Sequence, residues 1–271
     1  EDTEKGKFKS RGPSYNPAEN PEEWERFVTF THNQIKELAT GYGKLDAMWF
    51  DAGWVCERAG QDIRLGEVIE QVRKVQPGML CADRTIGGPY ENYVTPEQCV
   101  PEKPLSIPWE SCITLGTSFS FKYEDTYKSP REVINLLVDI VVKGGNLAIN
   151  VGPQPDGRLP EGAIRTLKGM GAWLGVYGEA IYGTRVCAPY KKGNIGFTQK
   201  NGTVYAIETF AKETDPAENT VWIPYKGEVH EITAMGGEKV ISFTEETGGY
   251  RVTLEDQEYE SVPVARVFCL K

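Results

Sequence analysis

From Pro21 to about Gly183, stretches whose apolar residues recur with a helical period alternate with short apolar runs. That alternation constrains the fold more than any single residue does. Glu22–Thr40 places Trp24, Phe27, Val28, Ile35 and Leu38 toward one side of a helix, with Gly41 ending it. Leu45–Trp54 reads as a strand, and Asp62–Val75 (Leu65, Val68, Ile69, Val72, Val75) as a second helix stopped by Pro77-Gly78. Met79–Asp83 is a short buried strand, and Gly87–Pro108 a long polar loop of the kind that usually carries function. Trp109–Phe121 reads as a further strand. Ser129, Pro130 and Glu132 then supply an N-cap, a first-turn proline and a closed capping box. Asn146–Val151 and Ala163–Tyr177 complete the series as strand and helix. This order predicts a parallel sheet joined by right-handed helical crossovers.

After "GEAIYGTR" the texture changes. Asn201-Gly202 inside "IGFTQKNGTVYAIETF" is a two-residue hairpin signal, and "NTVWIPY", "EVHEITAM", "ISFTEETGGYRVTL" and "ARVFCLK" read as further short strands. The expected division is therefore residues 1–185, mixed α/β, and residues 186–271, an antiparallel β module.

Thirty Lys+Arg against 39 Asp+Glu give a formal charge of −9, which argues against a nucleic-acid partner. No apolar run reaches membrane-spanning length. The first residues, "EDTEKGKFKSRGPSYNPAENPEEW", contain no signal-peptide core, so the protein is expected to be cytosolic or the chain to begin downstream of its native start. Six cysteines without a CxxC spacing and only two histidines argue against a metal site, and no cofactor is expected. Cys81 and Cys112 lie in apolar runs and read as buried thiols rather than disulfide partners. "GPQPDG" lacks the Gly-Lys-Ser/Thr ending of a phosphate loop.

The stretch "LDAMWFDAGWV" sets one carboxylate, Asp51, at the end of a run otherwise suited to burial. An unpaired buried carboxylate costs several kcal/mol, so Asp51 needs a counter-charge or a place at an exposed strand end. Chemistry in parallel α/β folds gathers at the C-terminal ends of strands. Arg84, after the next strand, can supply the counter-charge. Further carboxylates are available at Glu97 on the long loop and at Glu110 beside Trp109, and Trp49, Trp54 and Phe119 are aromatics near strand ends. Paired carboxylates flanked by aromatics that can stack on a sugar are the parts of a glycosidase.

"HNQIKELATGYGKLDAMWFDAGW", then "ADR", "TPEQ", "PWESCITLGTSFSF", "VKGGNLAINVGPQPDGRLP" and "WLGVYGEAIYGTR", resemble in order the catalytic domain of family 29 glycoside hydrolases, the α-L-fucosidases. The resemblance covers about Tyr15 to Arg185. It implies a (β/α)8-like, TIM-type barrel followed by an antiparallel β-sandwich, and retaining hydrolysis of terminal α-L-fucosyl residues from glycans. It further implies Asp51 as nucleophile and Trp49, Arg84 and Phe119 as lining of the fucose pocket. Trp54 and Glu110 are added as substrate contacts. For the general acid/base, Glu97 is expected, with Glu110 as runner-up. The family's upstream segment, with its first barrel strands and histidines, has no counterpart here, and His32 reads as a packed or surface helix residue. A missing N-terminal segment or a second chain is therefore expected to complete the barrel; the alternative is a carbohydrate-binding or inactive remnant. The resemblance also implies a secreted, periplasmic or lysosomal setting.

Overall fold

The computed structural model describes residues 17–51, 55, 60–84, 88, 90–256 and 261–271, and Trp54 and Cys56 lie outside them. Two compact units divide the chain, Glu1–Thr95 and Pro96–Lys271.

In the first unit, α1 (Pro21–Gly41) starts with proline in its first turn and Glu22 and Glu23 facing the positive helix end. Its buried line is Val28, His32, Ile35 and Ala39, whereas Phe27 and Leu38 stay exposed. The expected apolar face was thus too wide, because His32 takes a place in the packed stripe. Its Nε2 lies 2.7 Å from the Ile63 carbonyl oxygen, which satisfies the buried ring. The helix runs through Gly41, and the left-handed glycine after it is Gly43 (φ 91°).

β1 (Ala47–Phe50) and β2 (Leu80–Asp83) form a parallel pair, with Trp49 beside Ala82. Between them, α2 (Leu65–Val75) begins three residues later than its periodicity suggested. The Asp62 carboxylate accepts from the Arg64 amide at 2.8 Å, and Arg64 is left-handed (φ 49°), so helical geometry starts only at Leu65. Met48 and Cys81 pack with Val28, Ile35, Val68, Ile69 and Val72 in one core. Helices cover that face of the strand pair, and the alternate residues Ala47, Trp49 and Leu80 are exposed on the other.

In the second unit β3 (Trp109–Thr114) pairs in parallel with β4 (Gly145–Asn150) through the crossover helix α3 (Pro130–Val141). The capping box is present: Ser129 Oγ accepts from the Glu132 amide at 3.2 Å, and Glu132 accepts from the Ser129 amide at 2.7 Å. Gly145 must be glycine, because a Cβ there would fall 2.5 Å from the buried Trp109 ring. β3 stops at Thr114, shorter than the expected run to Phe121. Asp125 accepts from both the amide (3.0 Å) and the hydroxyl (2.6 Å) of Thr117, which bends the chain away from the sheet. Those two hydrogen bonds also hold the Asp125 carboxyl below the usual carboxylate range.

α4 (Glu161–Tyr177) follows, and among the described residues every later strand is antiparallel to its neighbours. One sheet has the order β5 (Arg185–Lys192), β6 (Ile195–Lys200), β7 (Thr203–Thr209), β12 (Ala265–Leu270), β9 (Ile232–Ala234). The other runs β10 (Val240–Glu246), β11 (Gly249–Leu254), β8 (Thr220–Ile223). Asn201 (φ 52°) and Gly202 (φ 84°) make the β6–β7 turn, the double left-handed geometry that Asn-Gly favours. β5 carried no clear sequence signal because it contains Pro189; it is an edge strand, where a missing amide donor is tolerated.

The two sheets share a core of Phe197, Val204, Ala206, Ile223, Val252, Phe268 and Leu270. On the opposite face of the larger sheet, Tyr205, Ile207, Ala265 and Val267 pack against Leu137, Val138 and Trp173 of α3 and α4. Arg131 locks this contact by donating to the carbonyls of Phe210, Val262 and Pro263 at 2.8–3.0 Å. That shared packing explains why the compact unit continues from Pro96 past the change to all-β structure at Arg185. Among the described residues Cys81, Cys99, Cys112, Cys187 and Cys269 form no disulfide. Among the described residues no helix is long and apolar enough to cross a membrane.

Candidate active site

Asp51 directly follows β1 and Arg84 directly follows β2, so the parallel register brings both to the C-terminal end of the pair. Arg84 Nη1 is 3.4 Å from Asp51 Oδ1, and the guanidinium carbon lies 4.5 Å from the centre of the Trp49 ring. The Arg84 side chain is only 14% exposed, whereas that of Asp51 is 62% exposed. The cation is held between carboxylate and indole, while the carboxylate stays open to a reactant. A contact of this cation–aromatic kind is worth about 1 kcal/mol. Met48 and Phe50 of β1 enter the helix-covered core; the charge lies just past the strand, where no burial penalty applies. Trp49 is 40% exposed, on the strand face that the helices leave uncovered.

In the second unit β3 and β4 divide their side chains in the same way. Leu115, Leu147 and Ile149 pack among residues of α3 and α4. Glu110, Cys112 and Thr114 take the other face of β3, with Asn146, Ala148 and Asn150 beside them on β4. Desolvation pushes the half-buried Glu110 carboxyl above the usual carboxylate range.

Glu97, expected on a free-standing loop, is tied to this sheet. It forms a parallel bridge with Cys112, flanked by hydrogen bonds from the Cys112 amide to the Pro96 carbonyl and from the Gln98 amide to the Cys112 carbonyl, both 2.9 Å. Ser111 Oγ donates to the Cys99 carbonyl at 2.7 Å, fastening the same segment. Bridge partners direct their side chains to one face, so Glu97 shares the face of Glu110 and Cys112. Glu97 itself is exposed.

Phe119 is 40% exposed and lies in the bend after β3 rather than at the end of the strand. Two features were not anticipated. Asn150, last in β4, has a buried Oδ1 without a hydrogen-bond partner among the described residues. Beyond the same strand ends lies an open hollow of about 790 Å³ walled by Phe121, Tyr123, Tyr127 and Arg158. The position of Asn150 at the C-terminal end of a parallel strand was visible in the sequence, but the unpartnered oxygen was not.

The first unit thus offers an exposed carboxylate beside a cation and an exposed indole, and the second a desolvated carboxyl, groups suited to nucleophilic and to acid–base chemistry respectively. The comparisons agree with that chemistry. The chain is 33% identical over 135 residues to an alpha-L-fucosidase of Branchiostoma floridae, a match covering 47% of this chain and 30% of that protein. Among solved structures it is similar to alpha-L-fucosidase isoenzyme 1 from Paenibacillus thiaminolyticus, with a TM-score of 0.79 and 27% identity over 91% of this chain and 62% of that one. It is also similar to the Thermotoga maritima alpha-fucosidase in complex with fucose, with a TM-score of 0.75 and 27% identity over 91% and 56%. The chain thus spans less than two thirds of each of these relatives. The Alpha-L-fucosidase family profile matches residues 4–179, well over half of the sequence, and the chain therefore belongs to the alpha-L-fucosidase family.

Proposed function

We propose that this chain is part of a retaining exo-α-L-fucosidase that removes terminal α-L-fucosyl residues from fucosylated glycans. The observation that carries the reading is the exposed Asp51 carboxylate at the C-terminal end of β1, set beside Arg84 and Trp49. Asp51 attacks the anomeric carbon as the glycosidic C–O bond breaks, giving a β-fucosyl ester, while a carboxylic acid protonates the departing oxygen. Water then gives its proton to that same residue, now a carboxylate, and opens the ester, so α-fucose leaves with net retention. Glu97 is proposed for the acid/base role with Glu110 as its rival. Trp49, Trp54, Arg84, Glu110 and Phe119 are assigned to holding the sugar.

Each parallel strand pair has one helix-covered face and a second face turned from those helices, which carries Trp49 in the first pair and Glu110 in the second, and this supports a (β/α)8 barrel. The parallel strands described are four, β1 to β4, so a barrel requires a further segment or a second chain to supply the rest. The uniform antiparallel pairing after Arg185 supports a catalytic portion over residues 1–185 and a β-sandwich domain over 186–271. By the same family reasoning the protein works in a secreted, periplasmic or lysosomal setting.

A second reading is a carbohydrate-binding or inactive fucosidase-like remnant without turnover. Release of 4-nitrophenol from its α-L-fucoside separates the two: steady turnover supports the enzyme, and saturable fucose binding without turnover supports the alternative. With turnover established, Arg84→Lys is expected to lower kcat/KM about tenfold. It keeps the charge but loses the planar group lying over Trp49. Steady-state kinetics with the aryl fucoside check this, and an unchanged kcat/KM would remove Arg84 from the site.

A further inference from the structure

A second hollow lies among the strands of the two packed sheets, and none of the residues assigned a catalytic role lines it. It encloses about 730 Å³ and is open on one side. Its walls come from the β5–β6 turn, β7, β8 and the β10–β11 turn.

Glu208, buried and lining the hollow, is held by Arg266, which is 1% exposed. Arg266 Nε and Nη2 donate to Glu208 Oε2 at 3.0 and 2.7 Å, and Nη1 donates to the Glu218 carbonyl at 3.0 Å. Both of the bonds to Glu208 end on Oε2. Oε1 accepts no hydrogen bond among the described residues, which leaves an acceptor on a fixed side chain that lines the hollow.

The half-buried Trp222 stands in the same wall, with the Arg251 guanidinium 5.8 Å from its ring centre. Arg251 is itself gripped by both oxygens of Glu246 at 2.7 and 3.0 Å, so the aromatic wall is braced before any ligand arrives. Lys192 and Lys226 are exposed at the hollow and have no ion pair among the described residues.

We infer that this hollow is a second saccharide-binding site, distinct from the proposed catalytic centre. A pyranose offers an apolar face to Trp222 and hydroxyls that donate to Glu208 Oε1 and accept from Lys192 and Lys226. A phosphate or sulfate group fits worse, because the carboxylate fixed at the hollow repels it. The function is to hold a glycan chain through its non-fucosylated part while another part of the protein acts.

Titration of the full protein with N-acetyllactosamine, a disaccharide without fucose, tests this by calorimetry and by the indole N–H signals of its NMR spectrum. Saturation near about 1 mM is expected, as for a shallow site. Trp222→Ala should weaken binding at least about tenfold, and Lys226→Ala about threefold, with turnover of a small aryl fucoside unchanged. Glu208→Gln should also weaken it; since that change disturbs Arg266, its melting temperature is measured alongside, and the surface variant Trp222→Ala is the deciding one. Binding should persist in Asp51→Gly, so a failure of the catalytic reading leaves this result legible. Absence of saturation by N-acetyllactosamine at about 20 mM, equal binding by Trp222→Ala, or displacement of the disaccharide by inorganic pyrophosphate would each overturn the assignment.

Discussion

Asp51→Gly is expected to lower kcat on 4-nitrophenyl α-L-fucoside by about four powers of ten, the scale of losing a nucleophile from a concerted site. The protein should remain folded. Asp51 is mostly exposed and its one described ion pair is with Arg84, and such surface pairs contribute about 0–1 kcal/mol. Added azide should restore part of the rate by entering the space the carboxylate leaves, and the product should be β-fucosyl azide. That configuration is the decisive readout, because a small anion attacking from the vacated side inverts the anomeric centre once, whereas the intact enzyme inverts it twice. A variant that keeps wild-type kcat ends the nucleophile assignment. Low activity with no azide product places Asp51 in substrate holding instead.

Elements governed by neighbouring residues were legible in the sequence. The capping box at Ser129 and Glu132, and the turn at Asn201-Gly202, need only local contacts, and both form as their residues indicate. Misreadings arise where a more distant contact outweighs local pattern. Thr117 and Asp125, eight residues apart, end β3 before its apolar run is exhausted; the delay of α2 is instead a local effect, the Asp62–Arg64 turn, which apolar periodicity does not register. His32 displaces an apolar residue from the buried stripe because the Ile63 carbonyl awaits it across the core.

The site divides in the same way. Asp51 and Arg84 could be named from strand ends alone, since two adjacent parallel strands bring them together. The shared face of Glu97 and Glu110 could not, because it depends on a single bridge from Glu97 to Cys112. Nor could Asn150 be singled out: its unsatisfied carbonyl exists only once β4 is packed.

The acid/base choice has a kinetic signature that separates the candidates. A general acid must be protonated when it meets the glycosidic oxygen and must later serve as base. Desolvation raises the Glu110 carboxyl and so favours its protonated form to higher pH, which extends the alkaline limb of activity if Glu110 is the acid. Glu97 lies in a segment fastened to the same strand, and its exposure leaves it open to a leaving group. For Glu97→Ala, rates on substrates with poor leaving groups should fall about a thousandfold. A dinitrophenyl fucoside, whose leaving group needs no proton, should keep most of its first-step rate. Its second step still slows, so the fucosyl-enzyme accumulates, a burst appears and KM falls. Azide should raise this turnover too, but with a product of retained α configuration, opposite to the Asp51→Gly case. For Glu110→Ala, a loss largely independent of leaving group is expected, as for a residue that orients the sugar. Exchange of the two patterns, together with loss of the alkaline limb in Glu110→Gln, would move the acid/base role to Glu110. A desolvated carboxylic acid on the inner strand, rather than the bridged segment beside it, would then deliver the proton.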